Sequence, residues 1–267
     1  HGSNAKVSNL INTLPVARHD TLVISDSDVH VAPDYLDTVV PPLADPSVGL
    51  VTCAYRARPD ASPWSRLVAL FVNGWFMPAM RVGALFGSRN FASGATLALR
   101  RGVLDRIGGF AAIADQLADD FWLGERIRRA GFTTVLAPIT VETCVNEPGP
   151  RACIAHELRW LRTIRGIQPL GYAFSFITFG LPVGLLTTAA LRGAGGTWIL
   201  FALTLIARFI VHFADDSGRR AWRDVWLVPT SDALAVALWC WSFAGRRVRW
   251  RRGSLVAAPG GNALRIT

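Results

Sequence analysis

The sequence predicts an α/β domain followed by C-terminal membrane helices. Through the first 165 residues, short apolar segments alternate with helix-like segments, as in a layered α/β domain. From Pro169, 23 consecutive residues carry no charged side chain, which is long enough to cross a bilayer. The net charge is −1 over residues 1–158 and +10 over residues 159–267. We therefore expect one domain over residues 1–165 and a membrane region over residues 166–267.

Composition excludes several classes of protein. Of the 267 residues, 51% are hydrophobic and 18% are charged, which excludes a disordered chain. The net charge of +9 would suit a nucleic-acid binder, but the arginines flank apolar runs as they do in membrane proteins. We therefore expect no nucleic-acid partner. The four cysteines form no CxxC pair, which argues against a zinc site or a disulfide framework.

The elements of the first domain follow from apolar runs and from the residues that end them. The runs are short and continuous, as in strands of a parallel sheet with both faces covered. Strands are predicted over residues 21–25, 48–54, 95–99, 133–137 and 140–144. Prolines, aspartates and glycines mark the helix ends. Helices are predicted over residues 33–42, 101–107 and 115–131.

The membrane region contains three candidate spans, over residues 169–191, 197–214 and 225–244. An earlier apolar stretch, residues 63–80, suits either a core helix or an interfacial helix. With residues 1–165 in the cytoplasm, three full spans would leave five arginines outside, against the positive-inside tendency. Either the third segment is re-entrant or interfacial, or one of the first two does not span. The five are Arg246, Arg247, Arg249, Arg251 and Arg252.

Asp26-Ser27-Asp28 directly follows the first predicted strand. In open α/β sheets, ligands bind at the carboxyl ends of strands. Two carboxylates there can hold a hard divalent cation, which can in turn bridge a diphosphate. The alternative is an ordinary solvated turn, in which Asp and Ser are common residues.

Two further motifs carry ionisable side chains. Asp119 and Asp120 stand at a predicted helix start, where they either cap the helix or present a general base. Arg159-Trp160 stands just before the first candidate span, either as an interface anchor or as a group that stabilises a leaving diphosphate. His156 lies one turn earlier, on the same helix face.

In order and setting, these motifs resemble the inverting A-type glycosyltransferases of the ceramide glucosyltransferase family. The resemblance runs through Asn4 to Leu10 (NAKVSNL), Asp26-Ser27-Asp28, Gly108-Gly109, Ala118-Asp119-Asp120 and Arg159-Trp160. Within that family, stretches such as SDSD, GATLALRR and HELRW look most similar to the bacterial branch associated with hopanoid biosynthesis. The implied fold is a partial GT-A (Rossmann-like) domain followed by transmembrane helices.

The resemblance also implies roles for the site residues. Asp26 and Asp28 would hold Mg²⁺ or Mn²⁺ on the diphosphate of a UDP-sugar, and Asp120 would deprotonate a lipid hydroxyl. Arg159, Trp160 and His156 would close over the diphosphate and the acceptor. The remaining donor-binding residues would be Lys6, Asp119, Ser93 and Gly94. The sugar would be glucose or N-acetylglucosamine, and the acceptor a hopanoid polyol or ceramide, with the catalytic domain on the cytoplasmic side of the bacterial inner membrane.

Two departures from the family pattern qualify these roles. His156 stands where the family usually has glutamine or arginine. The family's first nucleotide-binding strands precede the lysine motif, so we expect an N-terminally truncated chain that binds UDP poorly. The alternatives are a processive polysaccharide synthase, which usually has more spans, and an inactive membrane scaffold.

Overall fold

The computed structural model describes residues 1–88, 92–215, 218–250, 253–257 and 263–265. The chain divides into two compact units. Unit 1 comprises His1–Arg58, Ala79–Cys144 and Trp250–Thr267, and unit 2 comprises Pro59–Pro78 and Val145–Arg249. Arg251 and Arg252, two of the arginines in the topology argument, lie outside the described residues.

The helices occur in both units and concentrate in unit 2. In chain order they are α1 (Ala5–Thr13), α2 (Tyr35–Val39), α3 (Pro63–Phe71), α4 (Met77–Leu85), α5 (Arg101–Arg106), α6 (Asp119–Arg129), α7 (Pro150–Ile167), α8 (Pro169–Phe174), α9 (Gly180–Ala190), α10 (Thr197–Asp215), α11 (Arg219–Asp224) and α12 (Val228–Ser242). A π-helical turn, Val72–Phe76, joins α3 to α4. Short 3₁₀ turns lie at Leu14–Val16, Pro41–Ala44, Phe110–Ile113, Ser175–Thr178 and Val225–Leu227.

A five-stranded sheet in the order β1-β4-β3-β5-β2 forms the centre of unit 1. The described residues form the strands β1 (Thr21–Ser25), β2 (Val29–His30), β3 (Val48–Pro59), β4 (Thr96–Arg100), β5 (Thr133–Val145), β6 (Arg247–Trp250), β7 (Gly253–Ala257) and β8 (Ala263–Arg265). Strands β7 and β8 pair with each other in antiparallel fashion.

The expectation of a parallel sheet was wrong for β1 with β4, β3 with β4 and β2 with β5, which are all antiparallel. Continuous apolarity reports burial on both faces of a strand and says nothing of its direction. The two strands predicted between residues 133 and 144 are one strand, β5, which continues through an exposed Pro138. The helix predicted over residues 33–42 is the short α2 followed by the Pro41–Ala44 turn, because Pro42 cannot donate a helical hydrogen bond.

The hydrophobic core of unit 1 lies where α1, α5 and α6 pack against strands of the sheet. Its fully buried members include Val7 of α1, Leu99 of β4, Leu104 of α5 and Ile127 of α6. Gly49 of β3 allows the closest approach, because an added Cβ would lie 2.5 Å from both Ile127 Cγ2 and Phe132 Cβ. The helix starts that carry Lys6 and Asp119 are therefore held by well-packed elements.

Among the described residues, three helical segments are long and apolar enough to cross a membrane, and they are Pro63–Leu85, Thr197–Ala214 and Arg220–Ser242. Residues 63–80, expected as a core or interfacial helix, therefore belong to a segment of spanning length. The first candidate span is not straight, since Pro169–Thr178 and Gly180–Ala190 meet at 69°. Pro182 lacks an N–H, and its ring excludes the helical position of the carbonyl four residues earlier. Counted as one span, the bent pair brings the total in the described residues to four.

Unit 2 has its own core, built from one face each of α3, α7, α8 and α12. It includes Phe71, Leu161, Tyr172 and Leu238. Helix α10 differs from this core, because only 11% of the segment Thr197–Ala214 is buried. Its exposed side chains are large and apolar, including Trp198, Leu200, Ile206 and Ile210.

Candidate active site

The antiparallel register of β1 and β4 builds one wall of the candidate site. Ser25 pairs with Thr96, so the end of β1 lies beside the start of β4. The Ser25 hydroxyl donates to the carbonyl of Ala95 at 3.0 Å and ties the two ends together. Asp26, just after β1, is thereby brought next to Gly94, just before β4. An added Cβ at Gly94 would lie 3.5 Å from Asp26 Oδ2.

Helix α1 supplies the cation of the site. Asn4 caps this helix, since its side-chain oxygen accepts from the backbone N–H groups of Lys6 and Val7. Lys6 Nζ lies 2.7 Å from Asp26 Oδ1 and 3.4 Å from Asp119 Oδ2. We call Lys6, Asp26, Asp119 and Asp120 the Lys6 cluster. One ammonium group there faces three carboxyl groups.

Asp120, half-buried in the first turn of α6, is bound from two sides. Its Oδ2 accepts the backbone N–H of Gly94 at 2.9 Å, and its Oδ1 accepts that of Phe121 at 2.7 Å. Burial and the neighbouring Asp119 raise the pKa of Asp120 to about 6, against the lowering effects of Lys6 and of these two hydrogen bonds. A carboxyl group with this pKa is mostly ionised at neutral pH and is a stronger base than an ordinary aspartate.

Lys6 responds in the opposite sense to the same surroundings. Burial alone would lower the pKa of its ammonium group, but the carboxylates of Asp119, Asp26 and Asp120 outweigh it and raise the pKa. The ammonium therefore stays charged at any working pH.

Asp119 does not act as a side-chain N-cap. The cap position is Ala118, and no side chain satisfies the free N–H groups from there. Asp119 is buried, and it accepts from Asn4 Nδ2 at 3.4 Å while it faces Lys6. It therefore links α6 to α1, although its negative charge also suits a helix start.

Asp28 has a different partner from Asp26. Its Oδ2 accepts from Thr143 Oγ1 at 3.2 Å, in the region where β2 pairs with β5. In the described part of the chain, no three His, Cys, Asp or Glu side chains converge to hold a metal. The carboxylates of Asp26 and Asp28 suit a Mg²⁺ or Mn²⁺ ion that takes one or two protein ligands and its other ligands from substrate phosphates and water. The excess of carboxylates over ammonium in the Lys6 cluster favours such a cation.

Ser93 and Gly94 lie just before β4. The Ser93 N–H donates to Thr52 Oγ1 at 2.9 Å, and this hydroxyl donates to the Ser93 carbonyl at 3.2 Å. The Ser93 hydroxyl is buried and has no hydrogen-bond partner among the described residues. The backbone N–H of Gly94 donates to Asp120, and a side chain at this position would crowd the Lys6 cluster.

His156, Arg159 and Trp160 all lie on α7, in unit 2. His156 Nδ1 is 2.7 Å from Glu147 Oε1, and Glu147 is itself fixed because its backbone N–H donates to Ser65 Oγ. The ring centroids of His156 and Trp160 are 5.5 Å apart. The arrangement fixes the imidazole that occupies the first position of the HELRW motif.

Sequence reasoning assigned no role to three residues that the structure places at these sites. Asn4 joins the two helix starts, and Glu147 orients His156. Glu157 is 4% exposed, and neither carboxyl oxygen has a hydrogen-bond partner among the described residues. Burial raises its pKa well above the usual range, opposed by Arg159 and reinforced by Glu147. Asn before an apolar helix was a readable capping signal, whereas the other two depend on tertiary contacts.

Comparison with known families agrees with the motif pattern. The family model described as Glycosyl transferase family 21, a ceramide glucosyltransferase-like family, matches residues 1–263. The match includes the Lys6 cluster, the HELRW motif and the apolar helices. The chain belongs to glycosyl transferase family 21.

Proposed function

We propose that this chain is a membrane enzyme that transfers a sugar from a UDP-sugar to the hydroxyl group of a lipid, with inversion at the anomeric carbon. The observation that carries the proposal is the environment of Asp120. This carboxylate has a raised pKa and two backbone donors, within a cluster that has a lysine and two further carboxyl groups. Membership of a glycosyltransferase family supplies the class of reaction.

In the proposed reaction Asp120 accepts the proton of the lipid hydroxyl. The hydroxyl oxygen forms a bond to the anomeric carbon on the face opposite the diphosphate. The bond from that carbon to the diphosphate oxygen breaks, and UDP leaves with the electron pair. Attack opposite the leaving group inverts the configuration, so an α-linked donor gives a β-glycoside. The hydrogen bonds from Gly94 and Phe121 hold the carboxylate in one orientation.

Other residues would position the donor. Asp26 and Asp28 would hold Mg²⁺ or Mn²⁺, which when bound neutralises diphosphate charge. Lys6 keeps Asp26 in place and lowers the pKa of Asp120. Arg159, with His156 and Trp160 on the same helix, would bind the leaving diphosphate. Ser93 offers a buried hydroxyl to the donor sugar.

The apolar helices support a lipid acceptor and a membrane location. Three of the described segments have spanning length and composition, and α10 exposes several large apolar side chains. We place the protein in the bacterial inner membrane with the Lys6 cluster on the cytoplasmic side, where UDP-sugars are available. A hopanoid polyol or ceramide is the proposed acceptor, with glucose or N-acetylglucosamine as the donated sugar.

The test is a product analysis of the full-length parent protein in native membranes. UDP-glucose or UDP-N-acetylglucosamine is supplied with Mg²⁺ and mixed lipid acceptors, and lipid product masses are measured. The test variant is Asp120→Asn, and the matched control is Asp105→Asn, an exposed aspartate in unit 1. We expect a new glycolipid from wild type and control, and a loss of about 10²–10⁴-fold in Asp120→Asn.

Two results would contradict the proposal. Wild-type rates in Asp120→Asn would remove this residue as the base. Absence of both UDP binding and glycolipid in every membrane sample would favour a scaffold without turnover.

A further inference from the structure

A cavity of about 230 Å³ lies within unit 2, and none of the residues that line it is used in the proposed mechanism. Four parts of the chain contribute to its wall. They are α3 with its π-helical turn, the break between α8 and α9, helix α10 and helix α12. One part of the wall is apolar and includes Phe71, Trp75 and Phe179. Another part is polar and includes Arg208 and Asp232.

Arg208 and Asp232 form a two-pronged ion pair in this wall. Arg208 Nε donates to Asp232 Oδ2 at 2.9 Å, and Arg208 Nη2 donates to Oδ1 at 2.9 Å. The side chains are only 13% and 15% exposed, respectively. The remaining nitrogen, Arg208 Nη1, is buried and has no hydrogen-bond partner among the described residues. A buried guanidinium nitrogen without an acceptor is costly, and a bound polar ligand would remove that cost.

Both charged residues stand in helices of spanning length and apolar composition. Charged side chains within such segments are rare and usually serve a function, because each disfavours insertion into hydrocarbon. The proposed sugar transfer uses neither residue. The pair therefore calls for a separate explanation.

The backbone is irregular at two places that line the cavity. The π-helical turn Val72–Phe76 supplies Gly74 and Trp75, and the break between α8 and α9 supplies Phe179 and Gly180. π-Helical turns concentrate at functional sites, and at membrane depth non-helical backbone is tolerated where it lines a cavity. Gly74 also lets the Arg208 guanidinium come close to the backbone, since an added Cβ would lie 2.8 Å from two of its nitrogens and would displace it.

We propose that this cavity binds the uncharged polar end of a membrane lipid, through its hydroxyl or ester oxygens. The proposal rests on the membrane location proposed above. Arg208 offers a donor and Asp232 an acceptor, and their charges cancel, so a neutral group that both donates and accepts is matched. A phosphate would meet the Asp232 carboxylate at close range. The volume is below the ~300–1,000 Å³ of sites that enclose a whole small ligand. The lipid chains would therefore lie outside, along the apolar helices.

The rigid aromatic part of the wall supports this assignment. Trp75 Nε1 donates to Thr178 Oγ1 at 2.7 Å, and the Trp75 ring stacks on Phe179 with centroids 5.3 Å apart. These contacts hold the π-helical turn against the break between α8 and α9. A preformed wall of this kind reduces the ordering cost of binding.

Photolabelling in vesicles without any sugar donor tests the proposal. The probes are a diacylglycerol and a phosphatidic acid that carry the same diazirine in the acyl chain, close to the ester. Labelled peptides that contain Phe71–Trp75 or Thr178–Leu181 are quantified by mass spectrometry. Ala207→Leu places a larger side chain in the cavity wall, and Ala202→Leu, on the same helix outside the wall, is the matched control.

We expect the diacylglycerol probe to label both peptides more strongly than the phosphatidic acid probe. Labelling falls about tenfold in Ala207→Leu, the change typical of a few displaced carbon atoms in a pocket, and stays unchanged in Ala202→Leu. Asp232→Asn preserves shape but leaves the Arg208 charge unbalanced, so this variant favours the phosphatidic acid probe. That reversal of preference does not depend on the leucine variant folding.

Equal labelling of wild type and Ala207→Leu would overturn the cavity as a lipid site. Stronger phosphatidic acid labelling of wild type, or an unchanged preference in Asp232→Asn, would overturn the assignment to an uncharged group. The photolabelling uses no sugar donor, so its outcome does not depend on catalysis. If the probes label as expected but the protein makes no glycolipid, the proposed transferase activity is refuted and the lipid site is retained.

Discussion

At the scale of single residues, the charged groups of the Lys6 cluster set the proton affinity of Asp120. One ammonium group lies there among three carboxyl groups. Asp120 has a pKa of about 6 because burial and Asp119 raise it and Lys6 lowers it. The base must be ionised to act, so kcat/KM should fall as the pH decreases through about 6. The basicity of Asp120 should therefore be adjustable through its neighbours.

Lys6→Gln tests this coupling. Loss of the ammonium removes an influence that lowers the Asp120 pKa, so the acid limb of the kcat/KM profile should move to higher pH. Lys6→Arg keeps the charge and should leave the limb near its wild-type position. The profile is measured by glycolipid formation between pH 5 and 9. A limb that stays in place in Lys6→Gln would show that Asp120 is not the titrating base.

Glu157 gives a prediction about stability. Its pKa is higher in the folded chain than in the unfolded one, so folding binds a proton, and stability decreases as pH rises above the unfolded value. Glu157→Gln removes this titration. At pH 7.5 the variant should unfold about 2–4 °C above wild type in detergent, and the difference should vanish near pH 4.

Glu125→Gln is the control of opposite sign. Partial burial acts to raise the Glu125 pKa, but hydrogen bonds from Arg128 and Arg129 outweigh it and lower the pKa. Wild type should therefore lose this contribution as pH falls, and the variant should be less stable than wild type at pH 7.5. If Glu157→Gln is also less stable at that pH, Glu157 has a stabilising partner when ionised.

The individual site residues were more predictable than their partners. Motif order and strand ends predicted Lys6, Asp26 and Asp120, and the structure brings these three together around Gly94. The link from Asn4 to Asp119 joins residues 115 positions apart, so no local pattern could reveal it. The same is true of the contact between Glu147 and His156, which depends on how the chain folds back before α7.

At the scale of elements, close packing between β3 and α6 sets the position of the Asp119 helix start. Gly49→Ala would place a Cβ 2.5 Å from Ile127 Cγ2 and Phe132 Cβ, and overpacking of this kind costs about 1–3 kcal/mol. Gly102→Ala is the matched control, because Gly102 lies in α5 with open space around it. The control should stabilise the chain by about 0.5–1 kcal/mol through helix propensity. Denaturant unfolding compares the two, and equal effects would refute the packing argument.

Element directions and breaks were the least predictable part of the fold. Apolar runs located β1, β3 and β4 well, but antiparallel pairing follows from the connections between strands. The bend of the first candidate span has a local cause in Pro182, which a hydropathy profile does not detect. The π-helical turn at Val72–Phe76 follows no sequence rule that we can state.

At the scale of the whole molecule, the apolar surface of α10 predicts stable insertion into a bilayer. Wild type should stay with membranes through a carbonate wash and dissolve in detergent. Ile206→Arg places a charge in this helix, where insertion costs about 2.5–3.5 kcal/mol more per charged residue, and should release a fraction of the protein.

Leu36→Arg provides the matched control, since Leu36 and Ile206 are both 55% exposed but Leu36 lies in unit 1. This control should sediment with membranes like wild type. Equal release of both variants would mean that added charge, and not disrupted insertion of α10, detaches the protein.

The register that sets Asp26 beside Gly94 also has a consequence for the order of folding. The Lys6 cluster joins segments that are far apart in sequence, since the bonded Ser25 and Ala95 are 70 positions apart and Asn4 and Asp119 are 115 positions apart. Closing such loops costs entropy before any contact rewards it, so these contacts form late. Amide protons at Gly94 and Phe121 should therefore be among the last in unit 1 to gain protection during refolding, and the nascent chain should acquire its basic carboxylate only once unit 1 is essentially complete.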